Sequence, residues 1–319
     1  MYNESRTEQA LKTRLPQTKH ADYDAFWDET LALVHKDPLM FTREPYPYPG
    51  TFVKVWGITF NGFEGQKVYG WLVVPQTSSG KLPCVVCFHG GHGSRGNPAG
   101  YMAYAAAGFA VVTIDPRGQN GVTQDNRAYT SGANGEFILR GILDEREHYL
   151  RGLYMDCVRA VEFAAAQPEI DPARIVVEGA SQGGACAMAA AAFSNIPALA
   201  LPNVPSFCCF PRRIENRQAC LRFVADYLCS CPENTDRVLA TLSYFDVINL
   251  ADRVRCPVYA SVGLMDTDAP ADFFIGAYHY IPGEKQIEVY PFNSHGNVSY
   301  PHFEKALRYA ARSMNISDG

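Results

Sequence analysis

Residues Arg174 to Phe193 read RIVVEGASQGGACAMAAAAF. The stretch begins with an apolar β-branched run, Ile175 to Val177, which predicts a strand. It ends in an Ala-rich segment of high helix propensity. Between them lies Gly179-Ala180-Ser181-Gln182-Gly183, a G-x-S-x-G pattern. At a strand-to-helix junction this pattern reads as a nucleophile elbow. The turn is tight enough that a side chain at either glycine would clash with the strand or helix it joins. Ser181 is left at the tip. The backbone N–H of Gln182 then sits at a helix N-terminus, where it can hold an oxyanion. The alternative is a Gly-rich strand-to-helix turn with no chemistry; a strand before and a helix after, as the motif requires, favour the elbow.

Working outward, strand and helix patterns alternate on both sides. Upstream, CVVCFHGG reads as a buried strand, Gly100 to Gly108 as a short helix and FAVVTIDPRGQ as another strand. Ser131 to Glu147 reads as irregular, and Arg151 to Gln167 as an amphipathic helix with Leu153, Cys157, Ala160, Val161 and Ala164 on one face. Downstream, ALALPNVP, CPVYASVGLMD and IEVYPFNSH read as strands, and Pro301 to Ser313 as a terminal helix. This order implies an α/β fold, a mostly parallel central sheet with helices on both faces. Residues 1–45 read as an N-terminal helical extension, and Tyr46 to Gly50 as a turn. FVKVWGITF and KVYGWLVVP follow as an antiparallel hairpin, then a turn over Thr77 to Gly80. Residues 206–248 read as a helical insertion before the last strands. We treat 1–319 as a single domain.

The bulk numbers are those of a globular protein: 319 residues, 47% hydrophobic, 19% charged, formal net charge −5. No basic patch stands out, so nucleic acid is not an expected partner. No apolar run approaches the length of a membrane span. The polar N-terminus lacks a signal-peptide core, so a cytoplasmic location is expected. Of the ten cysteines, Cys84 and Cys87 form a C-x-x-C inside a strand. Residues i and i+3 of a strand face opposite ways, so the pair chelates poorly. Free buried thiols and no metal or other cofactor are expected.

A serine hydroxyl needs a base, and the base needs an orienting group. On an elbow of this kind the chain order is Ser, acid, His. Working residues of a parallel sheet lie at the carboxyl ends of its strands. SVGLMD ends in Asp266 and PFNSH ends in His295, so these are the candidate acid and base. Asp268 and Asp272 rival the first. His89, His92, His279 and His302 rival the second, but the first two precede the elbow and the others fall in helical stretches. The oxyanion donors are Gln182 and, from the loop after an early strand, Gly91. Arg117, Gly118 and Gln119 end the next strand as site-supporting residues. Arg117 reads as a structural brace.

These residues resemble the acetyl xylan esterase and cephalosporin-C deacetylase family, carbohydrate esterase family seven. The resemblance lies in RGQ at 117–119 and GASQGG at 179–184, together with DYDAFWDETL, KLPCVVCFHG, GEFILRGILD, YLRGLYMDCVRAVE, TLSYFD and SVGLMD. It covers nearly the whole chain. It implies an α/β-hydrolase that removes acetyl groups from small acetylated substrates such as xylo-oligosaccharides or cephalosporin C. By position it makes Ser181 the nucleophile, Asp266 the acid and His295 the base. It also implies a cytoplasmic homohexamer. Two positions depart from the family. Gly91 stands where a Tyr is usual, and Gly296 where a Glu is usual. Both remove side chains beside the site, so a bulkier alcohol or acyl group than acetyl is expected to fit. An esterase, lactone hydrolase or peptidase of other preference, or a non-catalytic binding protein, would share the scaffold.

Overall fold

Nine strands form one sheet among the residues described by the computed structural model, 2–76, 80–132 and 135–316. They are β1 Phe41–Tyr46, β2 Val53–Asn61, β3 Lys67–Pro75, β4 Leu82–Phe88, β5 Ala110–Ile114, β6 Ile170–Ala180, β7 Leu199–Asn203, β8 Val258–Gly263 and β9 Lys285–Tyr290. Their spatial order is β1-β2-β3-β5-β4-β6-β7-β8-β9. The pairs from β1 to β5 on that edge are antiparallel, and those from β5 through β4 to β9 are parallel. The fold is the α/β-hydrolase fold, with helices on both faces. Strands β4, β5 and β7 are buried along their whole length, as near-continuous Val, Ile and Leu runs require.

The helices are α1 Tyr2–Ala10, α2 Tyr23–Lys36, α3 Met102–Ala106, α4 Tyr149–Ala165, α5 Gln182–Phe193, α6 Phe210–Glu215, α7 Leu221–Ser230, α8 Thr235–Ser243, α9 Val247–Leu250, α10 Ala271–Tyr278 and α11 His295–Ser313. Helix α5 is apolar all round and buried all round, as such a helix must be. One core cluster takes in α4, α5 and the β4 residues Cys84 and Val86; another, with α3 and α11, takes in Val85 and Cys87. The two thiols of the C-x-x-C therefore fall in separate cores. All ten cysteines are free; Cys229 is exposed.

Several expectations need correction. The extension over 1–45 is not all helical, because Phe41–Tyr46 is a strand paired with β2 from Phe41↔Phe60 to Tyr46↔Val55. Its sequence FTREPY hides this: Pro45 is tolerated because β1 is an edge strand. Helix α4 does not expose a polar face. Arg151, Asp156 and Arg159 are buried along with its apolar side chains. Helix α2 covers it: Trp27 lies 6.2 Å from Tyr154 and stacks on Phe193 of α5 at 4.1 Å, and Arg151 donates to Thr30 at 3.0 Å. Helix α11 starts at His295, six residues before the expected Pro301, so His302 lies inside it. A capping box between Ser294 and Asn297 sets the start. Pro301 lacks the N–H that would meet the Asn297 carbonyl, and the Asn293 side chain meets it instead at 3.0 Å. The turn over Thr77 to Gly80 falls, Gly80 apart, outside the described residues. Within 131–147 the described residues hold one short 3-10 turn, Phe137–Leu139.

Candidate active site

Ser181 joins β6 to α5 with φ 60° and ψ −119°. A non-glycine residue pays a strain of about 1–3 kcal/mol for such a backbone. The neighbours enforce it. A Cβ on Gly179 would lie 2.5 Å from the Gly183 carbonyl, and one on Gly183 only 2.1 Å from the Phe88 carbonyl oxygen. Strand β4 thus presses directly on the elbow, and only glycine permits that approach. The Ser181 N–H donates to the Asn203 carbonyl at 3.0 Å, and its carbonyl accepts from Ser206 N at 2.9 Å. The end of β7 and the loop that follows it hold the tip.

His295 and Asp266 come from β9 and β8, as their order predicts, but neither is at a strand end. Asp266 lies three residues beyond β8 in a turn closed by Asp266 N–H to Gly263 O at 3.2 Å. His295 opens α11, five residues beyond β9. Their side chains meet at 2.6 Å, His295 Nδ1 to Asp266 Oδ2. The other oxygen, Oδ1, accepts from Asp268 N at 2.9 Å and Ala269 N at 2.8 Å. Asp268 therefore supports the acid through its backbone and does not replace it. The imidazole is partly open, at 23% side-chain exposure, while the carboxylate is buried. His295 lines a cavity of about 300 Å³ together with Ser181 and Gln182, and among the described residues its Nε2 has no hydrogen-bond partner, Ser181 Oγ included. Of the rival histidines, His92 lines the same cavity, with its Nε2 3.7 Å from Glu136, and the other three sit elsewhere. His89 is bonded to Thr113 at 2.8 Å, His279 to the Leu11 carbonyl at 3.0 Å, and His302 is buried against Tyr259. Burial lowers both His89 and His302 to about 4.

Gly91 and Gln182 both line that cavity. Among the described residues neither backbone N–H has a hydrogen-bond partner, so both are free to meet an oxyanion. A Cβ on Gly91 would meet only Gln182 Oε1 at 3.8 Å and Phe137 Cζ at 4.0 Å. There is room for a side chain there. Gly296 faces open space.

Gln119 joins the two halves of this arrangement. Its Oε1 accepts from His92 N at 2.7 Å, and its Nε2 donates to Gln182 Oε1 at 3.0 Å and to Tyr149 Oη at 2.8 Å. The Gly91–His92 loop is thereby tied to the first residue of α5. Gly118 has φ 58°, with Asp125 and Arg140 against its α-carbon. Arg117 is fully buried and forks onto Asp156, both bonds at 2.7 Å. Burial works against its charge, but Asp156 outweighs this and raises its pKa further. Its carbonyl accepts from Tyr149 Oη at 2.7 Å. Arg117 is a brace beneath the site.

Other residues carry no signal in the letters. Asn203 at the end of β7 donates to Ser299 at 2.6 Å and accepts from Ser261. Ser299 is one turn past His295, so this pair pins the helix that bears the imidazole. Arg213 of α6 is buried and donates to Ser206 Oγ at 2.8 Å and to the Asp268 carbonyl at 2.6 Å. The insertion is thus anchored to the acid's own turn. It also roofs the cavity with Cys220, Arg222 and Phe223. Phe207, Cys209, Arg217 and Ala219 have positive φ along this segment, as does Val204 just before it. A separate apolar cavity of about 370 Å³ lies inside the insertion, between Ile214, Leu228 and Leu239. None of the site residues reaches it. Among the described residues no cluster of His, Cys, Asp or Glu could hold a metal ion. No helix there is long and apolar enough to cross a membrane.

A family model described as acetyl xylan esterase (AXE1) matches residues 7–313. An acetyl esterase of Xylanibacter ruminicola is 26% identical over 300 residues, 92% of this chain and 67% of that protein. The solved acetyl xylan esterase from Paenibacillus sp. R4 superposes with a TM-score of 0.92 at 33% identity, over 96% of this chain and 98% of its own. Acetyl xylan esterase 1 from Thermoanaerobacterium sp. JW/SL YS485 gives 0.91 at 26% identity, over the same shares. An acylaminoacyl peptidase of Pyrococcus horikoshii gives 0.60 at 18% identity over 89% of this chain and 42% of its own, a likeness of fold alone. Because the first match takes in every element that carries the site, the chain belongs to the acetyl xylan esterase family, whose members are serine esterases on the α/β-hydrolase fold.

Proposed function

We propose that this esterase removes acetyl groups from small acetylated saccharides through a Ser181–His295–Asp266 triad and an acyl-enzyme. The observation that carries it is the 2.6 Å bond of His295 to a buried Asp266, in a cavity shared with the strained Ser181. His295 Nε2 takes the Ser181 proton as Oγ attacks the ester carbonyl. Asp266 holds the proton on Nδ1 and stabilises the imidazolium. The Gln182 and Gly91 amides receive the negative oxygen. His295 then protonates the leaving alcohol. Water attacks the acetyl-enzyme by the same route, and acetate leaves. No step calls for a metal.

The acetyl ester of cephalosporin C is a second substrate of the same kind, supported by the family resemblance and by the room beside Gly91 and Gly296. A homohexameric assembly and a cytoplasmic location are proposals carried by the resemblance; light scattering of the purified chain tests the first, and fractionation of the source cells the second. The function is tested by acetate release from acetylated xylose, cephalosporin C and p-nitrophenyl acetate, with butyryl esters and peptides alongside. Ser181→Ala should lose roughly 10⁴-fold or more in kcat, as other triads do. Near-normal turnover by that variant, or a preference for peptides, would overturn the reading.

A further inference from the structure

Helix α7 begins at the catalytic cavity. Its N-cap Cys220 and the first-turn residues Arg222 and Phe223 line the space shared with Ser181 and His295. Arg222 gains nothing local from this place. The N-terminal end of a helix carries partial positive charge, so a cation in the first turn is disfavoured and an anion is favoured. Among the described residues the Arg222 side chain has no ion pair and donates no hydrogen bond. It rests on the Phe223 ring, whose centroid lies 4.4 Å from the guanidinium carbon.

The neighbouring charges are placed differently. His92 Nε2 faces Glu136 at 3.7 Å. Arg213 is buried and donates to Ser206 Oγ at 2.8 Å and to the Asp268 carbonyl at 2.6 Å. Asp268 lines the cavity together with Arg222, yet the two form no ion pair. Among the described residues only the amide and carbonyl of Asp268 are engaged, so its carboxylate is open to the cavity as well. The space over Ser181 thus presents a donor-only guanidinium and, beyond its reach, an acceptor-only carboxylate.

A ligand that answers both brings an anion to Arg222 and hydroxyl donors to Asp268. A planar carboxylate fits the guanidinium fork through two parallel bonds, and the helix end adds to the attraction. The acyl half of an acetyl ester is a single methyl beyond the carbonyl and has no place for a charge. The carboxylate therefore belongs to the alcohol half. Resting on the acetyl-esterase reading above, we propose that Arg222 is a specificity-determining residue that receives a carboxylate on the alcohol half, which makes acetyl esters of sugar acids the preferred substrates. The pair forms in the bound substrate and in the transition state alike, so it acts on KM more than on kcat.

The test is steady-state kinetics of the full chain with the acetylated methyl glycosides of glucuronic acid and of glucose, which differ by one carboxylate. Acetylcholine and its uncharged carbon isostere serve as the cationic comparison. Wild type should favour the glucuronate over the glucoside roughly 3- to 10-fold in kcat/KM, chiefly through KM, as suits an open charge-assisted pair. Arg222→Gln should bring that ratio near one. Arg222→Lys should keep part of it, because the charge remains and the fork does not. In about 1 M NaCl, where the screening length falls to about 3 Å, the wild-type ratio should shrink too. A purely structural role for Arg222 would show no such salt dependence. A wild type indifferent to the carboxylate, a ratio unmoved in Arg222→Gln, or a preference for acetylcholine over its isostere overturns the assignment and leaves the esterase reading standing. Failure to hydrolyse any acetyl ester overturns that reading and the assignment with it.

Discussion

The Asp266 carboxylate spends its two oxygens differently: Oδ2 meets His295 Nδ1 at 2.6 Å, and Oδ1 takes the Asp268 and Ala269 amides at 2.9 and 2.8 Å. An asparagine cannot do both. In Asp266→Asn the one carbonyl oxygen stays with the two amides, and the NH₂ turns to His295. Nδ1 must then accept, and the proton moves to Nε2, where it blocks the base. We expect kcat to fall by about 10⁴-fold, as at another triad whose acid was so changed. Stability by thermal melt should change little, and p-nitrophenyl acetate turnover reads the loss.

Ser181 pays for its position in backbone strain. Glycine accepts φ 60° without cost. Ser181→Gly should therefore abolish turnover while raising stability by about 1 kcal/mol. Ser181→Ala should abolish turnover without that gain. Equal melting temperatures for the two variants would show that the elbow is not strained.

Gln119 is a positioning residue, tying the Gly91–His92 loop to Gln182. Gln119→Ala frees one oxyanion donor to drift from the other. A misplacement of about 1 Å can cost 10²-fold, so kcat should fall by roughly 10- to 100-fold with a smaller change in KM. A change confined to KM would argue that Gln119 touches the substrate instead.

Burial lowers the His302 imidazole to about 4; Glu288 pulls it up and Lys305 pushes it down, both weaker effects. The unfolded chain titrates near 6.5, so between the two values it binds more protons than the folded one. The contribution is whole above pH 6.5 and is lost as pH falls toward 4. His302→Phe has nothing to protonate. The stability of wild type relative to this variant should drop by about 3 kcal/mol over that window. Urea unfolding at pH 7 and pH 4.5 checks it; parallel losses in the two proteins would refute it.

Much of the fold was legible because its signals are local. Val and Ile runs, the glycines at 179 and 183 and the Ala-rich tail of the elbow obey sterics that act over a few residues. The chain order of Ser181, Asp266 and His295 follows from strands that all point one way. Strand β1 escaped notice because an edge strand need not be apolar. The start of α11 escaped because a capping box outweighed a proline.

The sequence by itself determined the strand–turn–helix at Ser181, the alternation that builds a parallel sheet and the types of residue able to do acyl transfer. Only the tertiary structure decided that Asn203 pins His295 through Ser299, that Arg213 fastens the insertion to the turn of Asp266, and that Gln119 couples two loops. Those contacts join residues up to 96 positions apart. Nothing local to either partner marks them, since a buried polar group takes whichever partner the packed sheet brings within reach.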